Sequence, residues 1–489
     1  MGPSQDSVST NQQSARSKST AVRVGLVLGP AFLIATLVLP VPAGMDAAAW
    51  HCAGLALFMA TWWATEAIPI PATALLPLAL GPAIGIGSFQ DLAHSYADDI
   101  IFLFLGGFLI GLSMQRWNLH RRIALTTLLA VGTRPARQIA GFMIATGFIS
   151  MWVSNTATSI MMLPIGMSVV NLMADSDSPE VERYATRLLL AIAYSASIGG
   201  VATLIGTPPN ALLAGYLSSN QNIDIGFVQW MIVGVPVSIT MMAAAWMWLV
   251  RGGFELDTGA AGRDMLRNEL HKLGPLSSAE KRVGGMFLLA AGLWICRPLL
   301  SSAGVSWLSD AMIAMFIGVA LFIIPASDGQ NSRLMGWENE ANVPWGVLLL
   351  FGGGLALASA IKATGLAEWI ATQMEVFYAL PLVLMVGAVV VVIISLTEVS
   401  SNTATAAVFM PLLGALAMSM DIEVLLLTVP AAIAASCAFM MPVATPPNAI
   451  IFATGRMRIQ SMIRAGLALN IFCVVLATLV PYLIIGWLW

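Results

Sequence analysis

The stretch SNTATSIMMLPIG at 154–166 returns, little changed, as SNTATAAVFMPLLG at 401–414. Each copy places the same polar and small residues inside an apolar run, and each carries a proline at the matching place, Pro164 and Pro411. Two further pairs recur in the same order. FLGGFLIGLSMQRWN from Phe104 is echoed by LFGGGLALASAIKAT from Leu350, and GTPPNALLAG from Gly206 by ATPPNAIIFA from Ala444. The chain is therefore two repeats, at 46–251 and 282–488.

The composition sets what the repeats are made of. Of 489 residues, 58% are hydrophobic and 10% are charged. The mean hydropathy is +0.84. A soluble domain is roughly a quarter charged, so the deficit marks a polytopic membrane protein. The apolar runs are continuous rather than alternating, which predicts helices and not a β-barrel. We read about eleven crossings, each near the 20 residues a helix needs to span a bilayer. They lie at 22–42, 47–66, 68–87, 98–117, 187–218, 226–250, 282–300, 309–325, 343–363, 423–455 and 461–488. Residues 1–20 are polar and read as a disordered cytoplasmic tail. The first apolar run, behind that long polar lead-in, reads as a span and not a cleaved signal.

Two segments remain, 138–173 and 380–419, with an SNTAT copy in the middle of each. Their halves of about 13–17 residues fall short of a span. We read each as a re-entrant helical hairpin with SNTAT at its tip; a pair of spanning helices with polar kinks is the alternative. With the N-terminus inside, every Lys and Arg except Arg297 and Lys362 falls on a cytoplasmic segment, clustered at 116–137, 251–282 and 456–464. That is the positive-inside bias. It puts the mouth of the first hairpin on the cytoplasmic side and that of the second outside. An odd number of crossings per repeat makes the repeats inverted. Inverted repeats with interrupted helices at matching places characterise secondary transporters, with the site at the midplane between them.

The breaks carry the chemistry. Pro208 and Pro446 fall within long apolar segments, where proline suits the first turn of a new helix rather than a helix interior. The fifth and tenth crossings are predicted to break at Gly206–Thr207 and Ala444–Thr445; a simple proline kink is the alternative. Unwound backbone at membrane depth must line a cavity or bind something. Carbonyls and hydroxyls there suit a hard cation, and helix N-termini suit an anion. Ser150 and Thr397 sit one helical turn before the tip serines, placed as symmetric cation ligands would be. Neither motif holds Lys or Arg, and none lies close in sequence. An anion held there would lack countercharge, which favours cation-coupled anion transport. Glu398, just before the second tip, either tunes a cation site, binds backbone amides or orders the hairpin. Glu66 reads as a structural acid at a helix junction.

Other chemistries find no support. Cys52, Cys296, Cys437 and Cys473 are far apart, and His51, His94, His120 and His271 form no ligand pair. We expect no resident metal or cofactor. There is no HExxH, no nucleophile with a base and no paired membrane carboxylates, so we expect no enzyme. No basic patch with interleaved aromatics suggests nucleic acid.

The paired SNT and TPPNA motifs, WWATEAIPIPATALLP from Trp62 and ASCAFMMPVATPPNAII from Ala435 resemble one family, the divalent anion:sodium symporters. These include dicarboxylate, citrate and sulfate carriers. The likeness covers nearly the whole chain. It implies a homodimer in the bacterial cytoplasmic membrane, working as an elevator, with the C-terminus outside. Scaffold helices would occupy 22–134 and 282–378. The moving transport domain would occupy 138–251 (tip 154–156, break 206–208) and 380–489 (tip 401–403, break 444–446), with a cytoplasmic loop at 252–281. By the same resemblance, two or more Na⁺ serve as coupling ions. One would use Ser150, Ser154, Asn155 and Gly206, and another Thr397, Ser400, Asn402 and Ala444. Substrate carboxylates would meet Ser154, Asn155, Thr156, Ser401, Asn402 and Thr403, with Thr207, Pro208, Thr445 and Pro446 lining the pocket. Both tips read SNT, more like the carboxylate carriers than the sulfate carriers. The expected activity is Na⁺ symport of a four-carbon dicarboxylate such as succinate, fumarate or malate. The rivals are a Na⁺-independent dicarboxylate exchanger and a citrate or sulfate symporter.

Overall fold

The computed structural model describes residues 5–132, 134–172, 178–254, 256, 259–327, 332–373 and 381–488. Among them the protein is helical, with no strand and one isolated bridge, between Pro325 and Arg333. The first repeat is preceded by α1 (Gln5–Val38) and contains α2 (Ala47–Thr65), α3 (Ile70–Thr73), α4 (Leu76–Leu80), α5 (Phe89–His94), α6 (Asp99–Arg116), α7 (Leu119–Val131), α8 (Pro135–Ser150), α9 (Asn155–Leu172), α10 (Pro179–Val201), α11 (Pro208–Tyr216) and α12 (Phe227–Val250). After α13 (Gly259–Lys272) come α14 (Ser278–Ser302), α15 (Asp310–Ile323), α16 (Trp345–Ala363), α17 (Leu366–Gln373), α18 (Leu382–Thr397), α19 (Asn402–Ser419), α20 (Leu425–Ala435), α21 (Pro446–Phe452) and α22 (Ile459–Leu488). Among the described residues 8 helices are long and apolar enough to cross a membrane.

The elements differ in detail from the expected spans. The expected crossing at 68–87 is not one helix. Pro69, Pro71, Pro77 and Pro82 cut it into α3, α4 and a glycine turn with Gly85 at φ 74°, as prolines without amide hydrogens must. α1 extends back through the polar segment to Gln5. Propagation from a helix already nucleated by its apolar part costs little. The loop at 252–281 contains α13, which packs on α7 and α9 and is tied to α7 by Arg121–Glu269 at 2.7 Å. The first arm of each hairpin runs 16 residues, as expected, and the second runs 18, one more than expected. α19 is itself apolar and long enough to span, so length alone does not make the second hairpin re-entrant.

Burial places the elements. The apolar window of α10 is 89% buried, against 22% for α14. α10 is thus the central post, whereas α14 presents Leu288, Ile295 and Leu299 outward. Each first hairpin arm packs on the helix that precedes a break, α8 on α10 and α18 on α20. The short helices after the breaks then cross over. α11 packs on α19 of the other repeat, and α21 on α9. α1 with α2, α6 with α14 and α15, and α16 with α2 and α6 form further packed groups around this interlock.

Candidate functional site

Both tips are built alike. α8 ends at Ser150, a short turn follows, and α9 starts at Asn155. α18 ends at Thr397 and α19 starts at Asn402 behind Ser401. The first amides of α9 and α19 have no intrahelical acceptor, so each tip offers N–H groups at the positive end of a helix. The Ser154 hydroxyl accepts from the Ala157 amide at 3.2 Å; Ser401 makes no such cap. The hydroxyls of Thr156, Ser401 and Thr403 make no hydrogen bond among the described residues, and all three side chains are half-buried. They are free to meet a polar ligand.

The breaks come to the tips. α10 stops at Val201, and α11 starts at Pro208 behind Thr207. The Ser150 hydroxyl, fully buried, lies 2.6 Å from the Ala196 carbonyl and 2.7 Å from Asn155 Oδ1. One hydroxyl has one hydrogen and cannot serve both acceptors. The end of the Asn155 carboxamide facing the break also lies 3.1 Å from the Ala196 carbonyl and 3.2 Å from the Gly206 carbonyl. Every neighbour is an oxygen. Turned with Nδ2 inward, the amide donates to all of them. Turned with Oδ1 inward, it would complete an all-oxygen set for a bound cation. Ser150, Asn155 and Gly206 therefore meet as a donor set suited to a hard cation.

The second repeat repeats the arrangement. The Thr397 hydroxyl lies 2.6 Å from Asn402 Oδ1 and 2.9 Å from the Ala435 carbonyl. Ala444 is buried and precedes the Thr445 cap of α21. The Ser400 hydroxyl turns into its own tip, to the Leu396 carbonyl and Thr405 Oγ1, both at 2.8 Å. It is not joined to the Thr397–Asn402 pair.

Several contributors carry no role in the sequence reading. Asn210 and Asn448, the last polar residues of the TPPN copies, are fully buried. Asn210 Nδ2 donates to the Gly200, Val201 and Thr203 carbonyls, and Asn448 Nδ2 to those of Ala438 and Met441. Both Oδ1 atoms are buried without a donor. Their recurrence at one place in both repeats was the available signal. Glu398 resolves to amide binding. Its carboxylate accepts from the Phe439, Met440 and Met441 amides at 2.8–3.1 Å and from Asn470 Nδ2 at 2.6 Å. Glu66 ends α2 in the left-handed conformation, at φ 48°.

A cavity of about 440 Å³ opens beside Ser154, lined also by Gln115, Arg116, Trp152 and Asn342. Arg116 is distant in sequence from both tips; α6 brings it there, paired with Glu338 at 3.1 Å.

The family model described as the sodium:sulfate symporter transmembrane region matches residues 20–489. A protein of Staphylococcus saprophyticus named sodium-dependent dicarboxylate transporter SdcS is 42% identical over 97% of this chain and 94% of its own. One of Staphylococcus aureus with the same name is 41% identical over 95% of this chain and 92% of its own. The crystal structure of the Alcanivorax borkumensis YdaH transporter, described as having an unusual topology, superposes with a TM-score of 0.56 over 89% of this chain and 99% of its own, at 13% identity. That likeness concerns the fold alone.

Proposed function

The chain belongs to the sodium:sulfate symporter family, the divalent anion:sodium symporters, and from that premise we propose that it imports four-carbon dicarboxylates with Na⁺. One observation carries the reading. The oxygen-rich clusters around Ser150–Asn155–Gly206 and Thr397–Asn402 each adjoin a helix N-terminus with unpaired hydroxyls. A cation in each cluster supplies the positive charge that the tips lack, and the dicarboxylate lies across both tips. Each carboxylate then takes amides and hydroxyls from one repeat, Ser154, Asn155 and Thr156 at one end and Ser401, Asn402 and Thr403 at the other. Thr207, Pro208, Thr445 and Pro446 flank it from the starts of α11 and α21. Loss of the cation removes the reason for the anion to stay, which is symport in physical terms.

The crosswise packing of α11 on α19 and α21 on α9 supports a transport domain made from both repeats. That domain, α8–α12 with α18–α22, slides against a scaffold of the remaining spans. The hairpins re-enter from opposite faces, with the N-terminus cytoplasmic and the C-terminus outside, in about eleven crossings. The cavity on Ser154 lies beside Arg116, on the basic face, so this conformation opens inward. The working unit is a homodimer in the bacterial inner membrane.

The test is uptake of labelled succinate into proteoliposomes under an inward Na⁺ gradient, with matched K⁺ and succinate-preloaded controls. Uptake that needs Na⁺ sustains the symporter. Uptake only into preloaded vesicles, indifferent to Na⁺, establishes exchange instead. Competition by sulfate or citrate stronger than by fumarate or malate would move the substrate class. Asn155→Ala and Asn402→Ala should each lower Na⁺-driven uptake about a hundredfold, the cost of a lost ligand to a charged species. Full activity in either would overturn the site.

A further inference from the structure

A concentration of arginines lies away from the tips. A cavity of about 690 Å³ is lined by Arg183, Arg187, Arg251, Arg456, Arg458 and Arg464, with Glu182 as the carboxylate of the lining. Among the described residues, Arg183 is the only one of these arginines that pairs with a carboxylate, Glu180 at 2.9 Å. The others keep their charge in one another's company, which is costly without a counterion.

The arginines nearest α10 are held in place rather than loose. Arg183 donates to the Gly253 carbonyl and Arg187 to that of Arg251, at 2.9 and 2.8 Å. Both guanidinium carbons stand over the Phe254 ring, at 5.7 and 5.3 Å from its centre, and Arg251 lies on the Trp248 ring at 3.5 Å. Such buttressing fixes a guanidinium plane, and Arg183 Nε is buried with no partner among the described residues. Forked donors on fixed planes match the oxygens of a phosphate.

The level in the fold is telling. Three apolar spans end at this cavity, at Pro179, Val250 and Ile459. Their ends mark the water–membrane boundary, on the face that carries the Lys and Arg excess. The cavity is also a seam between repeats. Arg183, Arg187 and Arg251 come from α10 and the end of α12, whereas Arg456, Arg458 and Arg464 come from the link into α22 and its first turns. Thr186 Oγ1 already donates across this seam to the Arg456 carbonyl at 3.3 Å.

We propose that this arginine-lined cavity binds a phosphate-bearing anion that staples the two repeats together at the basic face, with an anionic lipid headgroup as its source. Free phosphate shares the chemistry, and the test separates the two. The full chain is stripped of lipid in neutral detergent, in potassium salts so that Na⁺ does not contribute. Its unfolding midpoint is measured with phosphatidylglycerol, with phosphatidylcholine, and with inorganic phosphate at matched ionic strength. Native mass spectrometry counts retained lipid.

Phosphatidylglycerol should raise the midpoint by about 3 °C and phosphatidylcholine should not, the size expected for a ligand that binds the folded state alone. Arg456→Gln/Arg458→Gln/Arg464→Gln should abolish both the shift and the retained lipid. Arg458→Gln alone, at an exposed position, gives a milder version should the triple variant fail to fold. A shift with phosphate but not with phosphatidylglycerol, lost in the variants, would overturn the lipid source and keep the anion site. No shift from either, or equal shifts in wild type and variants, would overturn the site.

Discussion

The two breaks answer one problem in different ways. Both leave unwound backbone inside the protein, and in both an asparagine of the TPPN copy collects the stray carbonyls. The first break, from Ala202 to Thr207, closes by contact. Gly200 and Gly206 stand so near that a Cβ on Gly206 would lie 2.4 Å from the Gly200 carbonyl oxygen. Trp230 Nε1 and the Thr203 hydroxyl take further carbonyls, those of Val201 and Met151. The second break, from Ser436 to Thr445, is longer and carries Ala438 and Ala444 where the first has the glycines. It closes by charge, with the Glu398 carboxylate accepting from its amides and Asn470 Nδ2 donating to that carboxylate. Met151 takes the place of Glu398 in the first copy. A duplicated motif thus fixes which atoms meet at the tip, not how the backbone behind it is satisfied.

Removing the charge should produce the largest effect. Glu398→Ala orphans the amides of Phe439, Met440 and Met441, and each buried unpaired donor costs about 1–3 kcal/mol. We expect loss of folded protein in size-exclusion profiles, with Met151→Ala far milder. Glu398→Gln should fall between, because its amide keeps one acceptor but points N–H at N–H. A Glu398→Ala protein as stable as wild type, with only its Na⁺ dependence altered, would show that the acid tunes the cation and that closure by charge is the wrong description.

Next comes the glycine contact. Gly206→Ala places a methyl group against fixed backbone, with no side-chain end to move aside, and Gly200→Ala would meet Asn155 at 2.8 Å. Overpacking of this kind costs about 1–3 kcal/mol, and here it displaces the residue whose carbonyl faces the first cluster. Succinate uptake should drop at least about tenfold with a raised half-saturating Na⁺ concentration. Ala444→Gly removes a methyl from the more open break and should leave uptake within about twofold. Equal losses would mean that the breaks close alike.

The tips and breaks were legible because polar and proline residues stand out where everything else is apolar, and because each occurs twice. The pairing of Ser150 with Asn155, and of Thr397 with Asn402, follows from one helical turn and a tight tip. The carbonyls of Ala196 and Ala435 were not legible, since a backbone oxygen leaves no mark on residue identity. Nor was Arg116, which reaches the first tip only through the packing of α6. The split of 68–87 into α3 and α4 was written in its prolines, but its apolarity fits a whole helix equally well. α7, α13 and α17 are half-polar surface helices, and a search for apolar spans passes over them. The Arg183–Arg464 cavity joins residues from opposite ends of the chain, so charge runs showed only its halves.

The smallest expected difference is also the most direct comparison. Thr207 and Thr445 occupy the same motif position and cap the same kind of short helix. Thr445 Oγ1 accepts from the Asn448 amide at 3.3 Å, whereas Thr207 makes no side-chain cap. A lost cap costs typically about 1 kcal/mol. Thr445→Ala should therefore lower the unfolding midpoint by about 1 °C, and Thr207→Ala should barely move it. Transport should rank them the other way, because the uncommitted Thr207 hydroxyl, 2% exposed, is the one left to meet a ligand. Measuring both variants for stability and for succinate affinity separates capping from binding at a single pair of positions. If each lost stability and affinity together, the difference between the breaks would end before α11 and α21 begin.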